Sequence, residues 1–237
     1  MPKTTNFVKN ECIFEVRYKP NAKLLDHRGV WAEKIAQHLK LEHWQIVENR
    51  IDVFSEDRNT HAFLGFRNGG LTLLDVPNKE YFENYSRNLL EFIFALENFG
   101  NPIYIERIGV RCMFCTPFWG SFSELRDRFS TRYLNITKQG IEAIGSDAKL
   151  IDIGAPLDFT DSIGNFKTLF GPMQGEQFGD FFTRKGEFPS VGTFYNIDYS
   201  SHPQKQLTGI QVIETIREFL DAGWDRHARV RDLLIKR

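Results

Sequence analysis

Four charged residues carry the first chemical possibility in this chain. Glu15 and Arg17 lie in the segment CIFEVRY, and Arg107 and Arg111 lie in IYIERIGVRCMFC. Side chains of an extended segment alternate between two faces, so Glu15 and Arg17 project to one side of the first strand, and Arg107 and Arg111 to one side of the second. If the two strands lie side by side at a sheet centre, the four make a charged strip. A guanidinium fork matches both carboxylate and phosphate, so such arginines suit recognition of either group. The plainer alternative is a Glu15–arginine pair on a wet sheet face, which antiparallel sheets commonly leave. Tyr195 and Tyr199, in VGTFYNIDYS, share one face of a further strand and are expected to add aromatic surface to the same groove.

Other constellations point to packing. Cys112 and Cys115 have the spacing of half a zinc site, but a second ligand pair is missing, and positions three apart on a strand face opposite ways. They read as reduced structural thiols, in keeping with three cysteines in all. His38 and His43 lie near one helix end without a ligand pattern, and His227 falls on the apolar stripe Ile213, Ile216, Leu220 and Trp224. Asp152, Asp158 and Asp161 read as strand-end charges, and Gly171, Gly175 and Gly179 as loop glycines, since no strand-to-helix phosphate cradle surrounds them. No P-loop, GxGxxG or GxSxG occurs. These patterns give no catalytic residue, metal or cofactor, and the reading leans away from an enzyme.

The elements that must position the strip follow from periodicity. Cys12 to Tyr18 alternates as a strand, Leu24 to Leu39 reads as an amphipathic helix, and Trp44 to Val76 as three or four antiparallel strands, with Asn68-Gly69-Gly70 as a hairpin turn. Lys79 to Phe99 is the clearest helix; Leu90, Ile93 and Phe94 make its second flank apolar, which suits a central element or an oligomer contact. The order then restarts. Ile103 to Cys115 reads as a strand and Ser121 to Leu134 as a helix with Ser121 and Glu124 spaced as a capping box. Strands are expected over residues 149–159, 165–170 and 191–200, with a long loop from Phe170 to Ser190, and a final helix from Thr208 to Ile235 with Gly223 as a possible break.

The fold class expected is therefore α+β: two pseudo-repeated β-α-β(3-4)-α halves, residues 1–102 and 103–237, joined in one compact unit. They form a mainly antiparallel sheet with helices packed on one face. That order resembles the saddle of the TATA-box-binding protein, and a helix-grip arrangement around an apolar cavity fits the second half nearly as well. The strands EVRY (Glu15 to Tyr18), ERIGVRC (Glu106 to Cys112) and YNIDY (Tyr195 to Tyr199) together resemble a sporadically distributed prokaryotic family of about 250 residues. That resemblance implies a prokaryotic or phage source and supplies no catalytic residue.

Composition narrows the partners. With 41% hydrophobic and 26% charged residues, the chain is in the globular range, and its 22 Phe suit sheet faces covered by helices. Thirty basic against 31 acidic residues give a net charge of -1, so no global field draws in nucleic acid or an anionic membrane. The segment Trp224 to Arg237 is locally basic, which a solvated helix end explains as well as a nucleic-acid contact. A cytoplasmic location is expected, because the N-terminus lacks a secretory pattern and no apolar stretch would span a bilayer. The reading is a binding or interaction module for a protein or peptide, through the sheet face or the Phe170–Ser190 segment. The alternatives are a small molecule in a helix-grip cavity and nucleic acid on the sheet face.

Overall fold

The computed structural model describes residues 9–20, 22, 26–95, 102–144, 149–183 and 187–235. Among the described residues ten strands form one antiparallel sheet. They are β1 (Lys9–Tyr18), β2 (His43–Val47), β3 (Arg50–Phe54), β4 (Thr60–Gly65), β5 (Asn68–Leu74), β6 (Ile103–Pro117), β7 (Ala155–Thr160), β8 (Asn165–Gln174), β9 (Val191–Ser201) and β10 (Lys205–Leu207). The helices are α1 (Arg28–Leu39), α2 (Lys79–Ala95), α3 (Phe122–Arg132), α4 (Lys138–Ile144), α5 (Gly175–Phe178) and α6 (Gly209–Ile235). The order across the sheet is β2-β3-β4-β5-β1-β6-β9-β8-β7, with β10 on the end of β6. Among the described residues no helix is long and apolar enough to cross a membrane.

Two long-range pairings, β1 with β6 and β6 with β9, place the charged segments at the middle of the sheet. Alternation on β1 sends Cys12, Phe14, Val16 and Tyr18 to one face, where Ile108, Val110, Cys112 and Phe114 of β6 join them. That face carries α1, α2, α3 and α6, and all these side chains form one core. The apolar flank of α2 is taken up inside the chain, because α2 contacts both α1 and α6, and Leu90, Ile93 and Phe94 are buried. Residues 96–99, expected to continue this helix, lie outside the described residues.

Three local features differ from expectation, two of them for steric reasons. The turn between β4 and β5 is Phe66-Arg67, and Asn68, Gly69 and Gly70 belong to β5. A Cβ on Gly70 would stand 2.5 Å from the Phe14 carbonyl oxygen and 2.7 Å from the Phe63 ring, so this glycine is required by close approach inside the sheet. Gly223 does not break α6; it sits where the helix lies close on the sheet, a Cβ there being 3.3 Å from Cys112 Sγ and from Ile197 Cγ2. The segment expected as a loop from Phe170 is in part ordered structure, since β8 runs to Gln174 and α5 follows. Cys112 and Cys115 do face opposite ways, one in the helix-side core and the other in a smaller cluster on the far face.

Candidate functional site

The face of the sheet without the large helices is divided into two zones. Toward one end, Phe178 of α5 with Phe181, Phe182 and Phe188 packs onto Met113, Cys115 and Phe194, with Ile13 and Leu169 at the margin. Ring centroids lie 4.6 Å apart for Phe181–Phe194 and 5.1 Å for Phe182–Phe188, within the range of favourable aromatic pairs. This aromatic cover buries Glu11 completely. One carboxylate oxygen of Glu11 accepts from the Thr183 backbone N–H at 2.9 Å, and the other has no partner among the described residues. Burial raises the Glu11 pKa, against the Thr183 hydrogen bonds and the Arg111 charge.

Toward the other end the face is open and polar. Cross-strand register puts Arg17 opposite Arg107, Glu15 opposite Gly109, and Ile13 opposite Arg111. Arg111 in turn faces Asp198, Asp198 faces Lys167, and Lys167 faces Asp158, an alternating ladder of charge across β6, β9, β8 and β7. The structure thus gathers Glu15, Arg17, Arg107 and Arg111 on one surface. Arg107 Nη1 is 3.2 Å from Glu15 Oε2, Arg17 Nε is 3.0 Å from Glu15 Oε1, and Asn68 Nδ2 donates to Glu15 Oε1 at 3.0 Å. Arg107 Nη2 also lies 3.7 Å from Asp198.

Gly109 makes this geometry possible. A Cβ at that position would stand within 2.7–2.8 Å of the Arg107 guanidinium, which lies flat over the bare backbone to reach Glu15 and Asp198. Burial pulls the Glu15 carboxyl up, but hydrogen bonds from Arg17 and Asn68 and the charges of Arg17 and Arg107 outweigh it and hold the pKa below the ordinary value. Asp198 goes the other way. Its burial outweighs Arg107, Arg111 and Lys167, so its pKa is raised. Gly109→Ala is expected to displace the Arg107 guanidinium and raise the Glu15 pKa slightly, Arg17 and Asn68 still holding it down, observable as a shifted carboxyl titration by NMR. An unchanged titration would show that Gly109 does not set the Arg107 position.

Tyr195 and Tyr199 correct the expected groove. Both lie on the helix side: Tyr199 stacks on Phe219 at 5.2 Å, and Tyr195 packs beside Phe170 and His227. Tyr199 donates to Asp161, which also pairs with Arg226, so these groups tie β9 to the β7–β8 turn and to α6. The residues of the same strand that reach the open face are Asn196 and Asp198, one position along from each tyrosine. His227 is buried in the helix-side core, its ring parallel to Phe114 at 3.9 Å and Nε2 3.1 Å from Thr116 Oγ1. Asp158 pairs with Lys167 at 3.3 Å. Among the described residues no three His, Cys, Asp or Glu side chains gather as a metal site.

Two grooves flank the Glu15–Arg107 bridge. One, of ≈ 550 Å³, is lined by Arg107, Asp198, Lys167, Asp158, Asn165 and Ser200 together with Phe159. The other, of ≈ 390 Å³, is lined by Glu15, Arg17, Asn68, Arg67, Glu106 and Phe66. The arrangement offers paired charges of both signs, amide and hydroxyl groups, and an aromatic margin. It can exchange hydrogen bonds and charge with a ligand that carries both donors and acceptors. The chain matches no protein-family model, and no curated protein sequence matches it.

Proposed function

We propose that the protein is a recognition module whose open sheet face, centred on Glu15, Arg17, Arg107 and Arg111, binds a protein or peptide partner. The observation that carries this reading is the pair of grooves on either side of the Glu15–Arg107 bridge, lined by alternating cations, carboxylates and amides. A polypeptide backbone alternates donor and acceptor groups, and such a surface meets both. The cations Arg17, Arg107, Arg111 and Lys167 are nearly matched by Glu15, Asp158 and Asp198, so the face lacks the positive surplus that a phosphate backbone requires.

The same reading includes an internal duplication. The order of elements, β1-α1-β2-β3-β4-β5-α2 and then β6-α3-α4-β7-β8-α5-β9-β10-α6, supports it, as does the placing of β1 and β6 side by side with the remaining strands leading outward on each side. The offset that superposes Val16-Arg17 on Val110-Arg111 also carries Glu15 onto Gly109, and these two face each other across β1 and β6. On this account the candidate site lies on the pseudo-twofold axis of a saddle of the TATA-binding-protein kind. A site on that axis draws side chains from both halves.

The test is affinity selection of a randomised peptide display library with the whole chain and with the double variant Arg17→Ser, Arg107→Ser. Denaturant unfolding first establishes that the variant is folded. Loss of these charge-assisted contacts is expected to lower the affinity for the selected peptides about 10-fold or more. Equal selection of the same sequences by both proteins would contradict the proposal.

A further inference from the structure

Arg111 differs from the other arginines of the strip. Its Nε donates to Asn196 Oδ1 at 2.8 Å, which fixes the plane of the guanidinium, while among the described residues its terminal nitrogens have no hydrogen bond and no carboxylate within 4 Å. Arg17 and Arg107, by contrast, are engaged with Glu15. The bond to Asn196 leans Arg111 toward the seam between the charged ladder and the aromatic cover. Ile13 lies opposite Arg111 on β1, and Leu169 lies opposite Asn196 on β8; both are partly buried against the cover. Asp198 is the carboxylate facing Arg111 from β9, and it is shared among Arg107, Arg111 and Lys167. Beneath the cover, one oxygen of the fully buried Glu11 is unpartnered.

We propose that Arg111 is a carboxylate anchor, binding the free C-terminal carboxylate of a peptide whose last side chain is apolar and rests on Ile13 and Leu169. This rests on the reading of the open face as a peptide site and names the chemistry of the partner. Charge complementarity selects the group: Arg17, Arg107, Arg111 and Lys167 outnumber Glu15, Asp158 and Asp198 by one, and of the three strip arginines Arg111 is the one with an open fork. A planar fork pinned at Nε presents two parallel N–H groups, the geometry a carboxylate meets with both oxygens. The apolar margin beside it selects a chain end with an apolar side chain over an isolated anion, since burying that side chain adds to the affinity. The preceding residues of the peptide run past Ser200 to the Arg107 guanidinium, which covers Gly109.

The probe is a pool of N-acetylated hexapeptides, randomised at the first five positions and ending in Leu, made once as the free acid and once as the C-terminal amide. Binding to the full chain and to Arg111→Gln is followed by NMR. The acid pool is expected to bind about 10- to 100-fold more tightly than the amide pool, and Arg111→Gln to abolish the difference. Equal binding of acid and amide pools, or an acid preference that survives in Arg111→Gln, overturns the anchor. So does a preference that follows an internal Glu in place of the terminus. If the acid preference is absent while Arg17 and Arg107 still control selection of library peptides, the anchor fails and the broader peptide site stands.

Discussion

On lowering the pH from 6.5 to 4.5, the protein is expected to lose on the order of 2 to 3 kcal/mol of stability through His227 alone. Burial against Phe114 and the nearby Arg231 charge push the His227 pKa down from 6.5 to about 3. Below pH 6.5 the unfolded chain takes up a proton on this residue while the native protein does not, so unfolding is favoured increasingly as pH falls. The loss continues until the native imidazole protonates near pH 3 and then stops growing. The carboxylates held down by their partners, Glu15, Glu83 and Asp161, begin to lose their stabilising contribution as pH nears 4.5, while Glu11 and Asp198, whose pKa values are raised, take up protons in the native state first and oppose the loss, so the histidine is read as the difference between the wild type and a variant lacking it. Denaturant unfolding across this interval should show a slope of about 1.4 kcal/mol per pH unit. The double variant His227→Phe, Thr116→Val removes both partners of the buried hydrogen bond and should flatten it. A double variant whose stability falls with pH as steeply as that of the wild type would contradict the buried neutral histidine.

Phe114→Ala is expected to cost about 3 to 5 kcal/mol, the range for deleting a buried phenylalanine. Phe114, toward the C-terminal end of the central strand β6, is 1% exposed. Its ring meets Trp224 edge-on at 5.0 Å and lies flat on His227, so truncation leaves a cavity between the central strand and α6. The variant should also weaken the acid dependence described above, because the cavity admits water to His227. A cost under 1 kcal/mol in chemical denaturation, with the acid slope intact, would mean that α6 is not held by this contact.

The strip was legible because strand alternation is a strong signal. Glu15, Arg17, Arg107 and Arg111 sit at even spacings on two long strands, and alternation alone puts each pair on one face. The same rule, applied to YNIDY, separates Tyr195, Ile197 and Tyr199 from Asn196 and Asp198. The tyrosines share their face with Ile197, which marks it as the buried one, yet the aromatic rings suggested a groove; the polar pair is what reaches the ladder. Asn68-Gly69-Gly70 has the composition of a turn, and only the packing of Phe14 and Phe63 against Gly70 discloses its place inside a strand. The aromatic cover was hidden by its length: Phe178, Phe181 and Phe182 keep helical spacing for a single turn only, and Phe188 lies in irregular chain. The same holds for α4, which buries no residue, and for the three-residue β10. Gly109 left no mark in the sequence beyond being a glycine; its role follows from where Arg107 comes to rest.

The most direct measurement is the footprint of a library-selected peptide on the folded protein, read as backbone amide shift changes during titration. The changes should gather on Glu15, Arg107, Gly109, Arg111, Asp198 and Ser200, the centre of the open face and its flanking groove. Changes confined to the helix-covered side or to the edge strand β2 would contradict the assignment of recognition to this face.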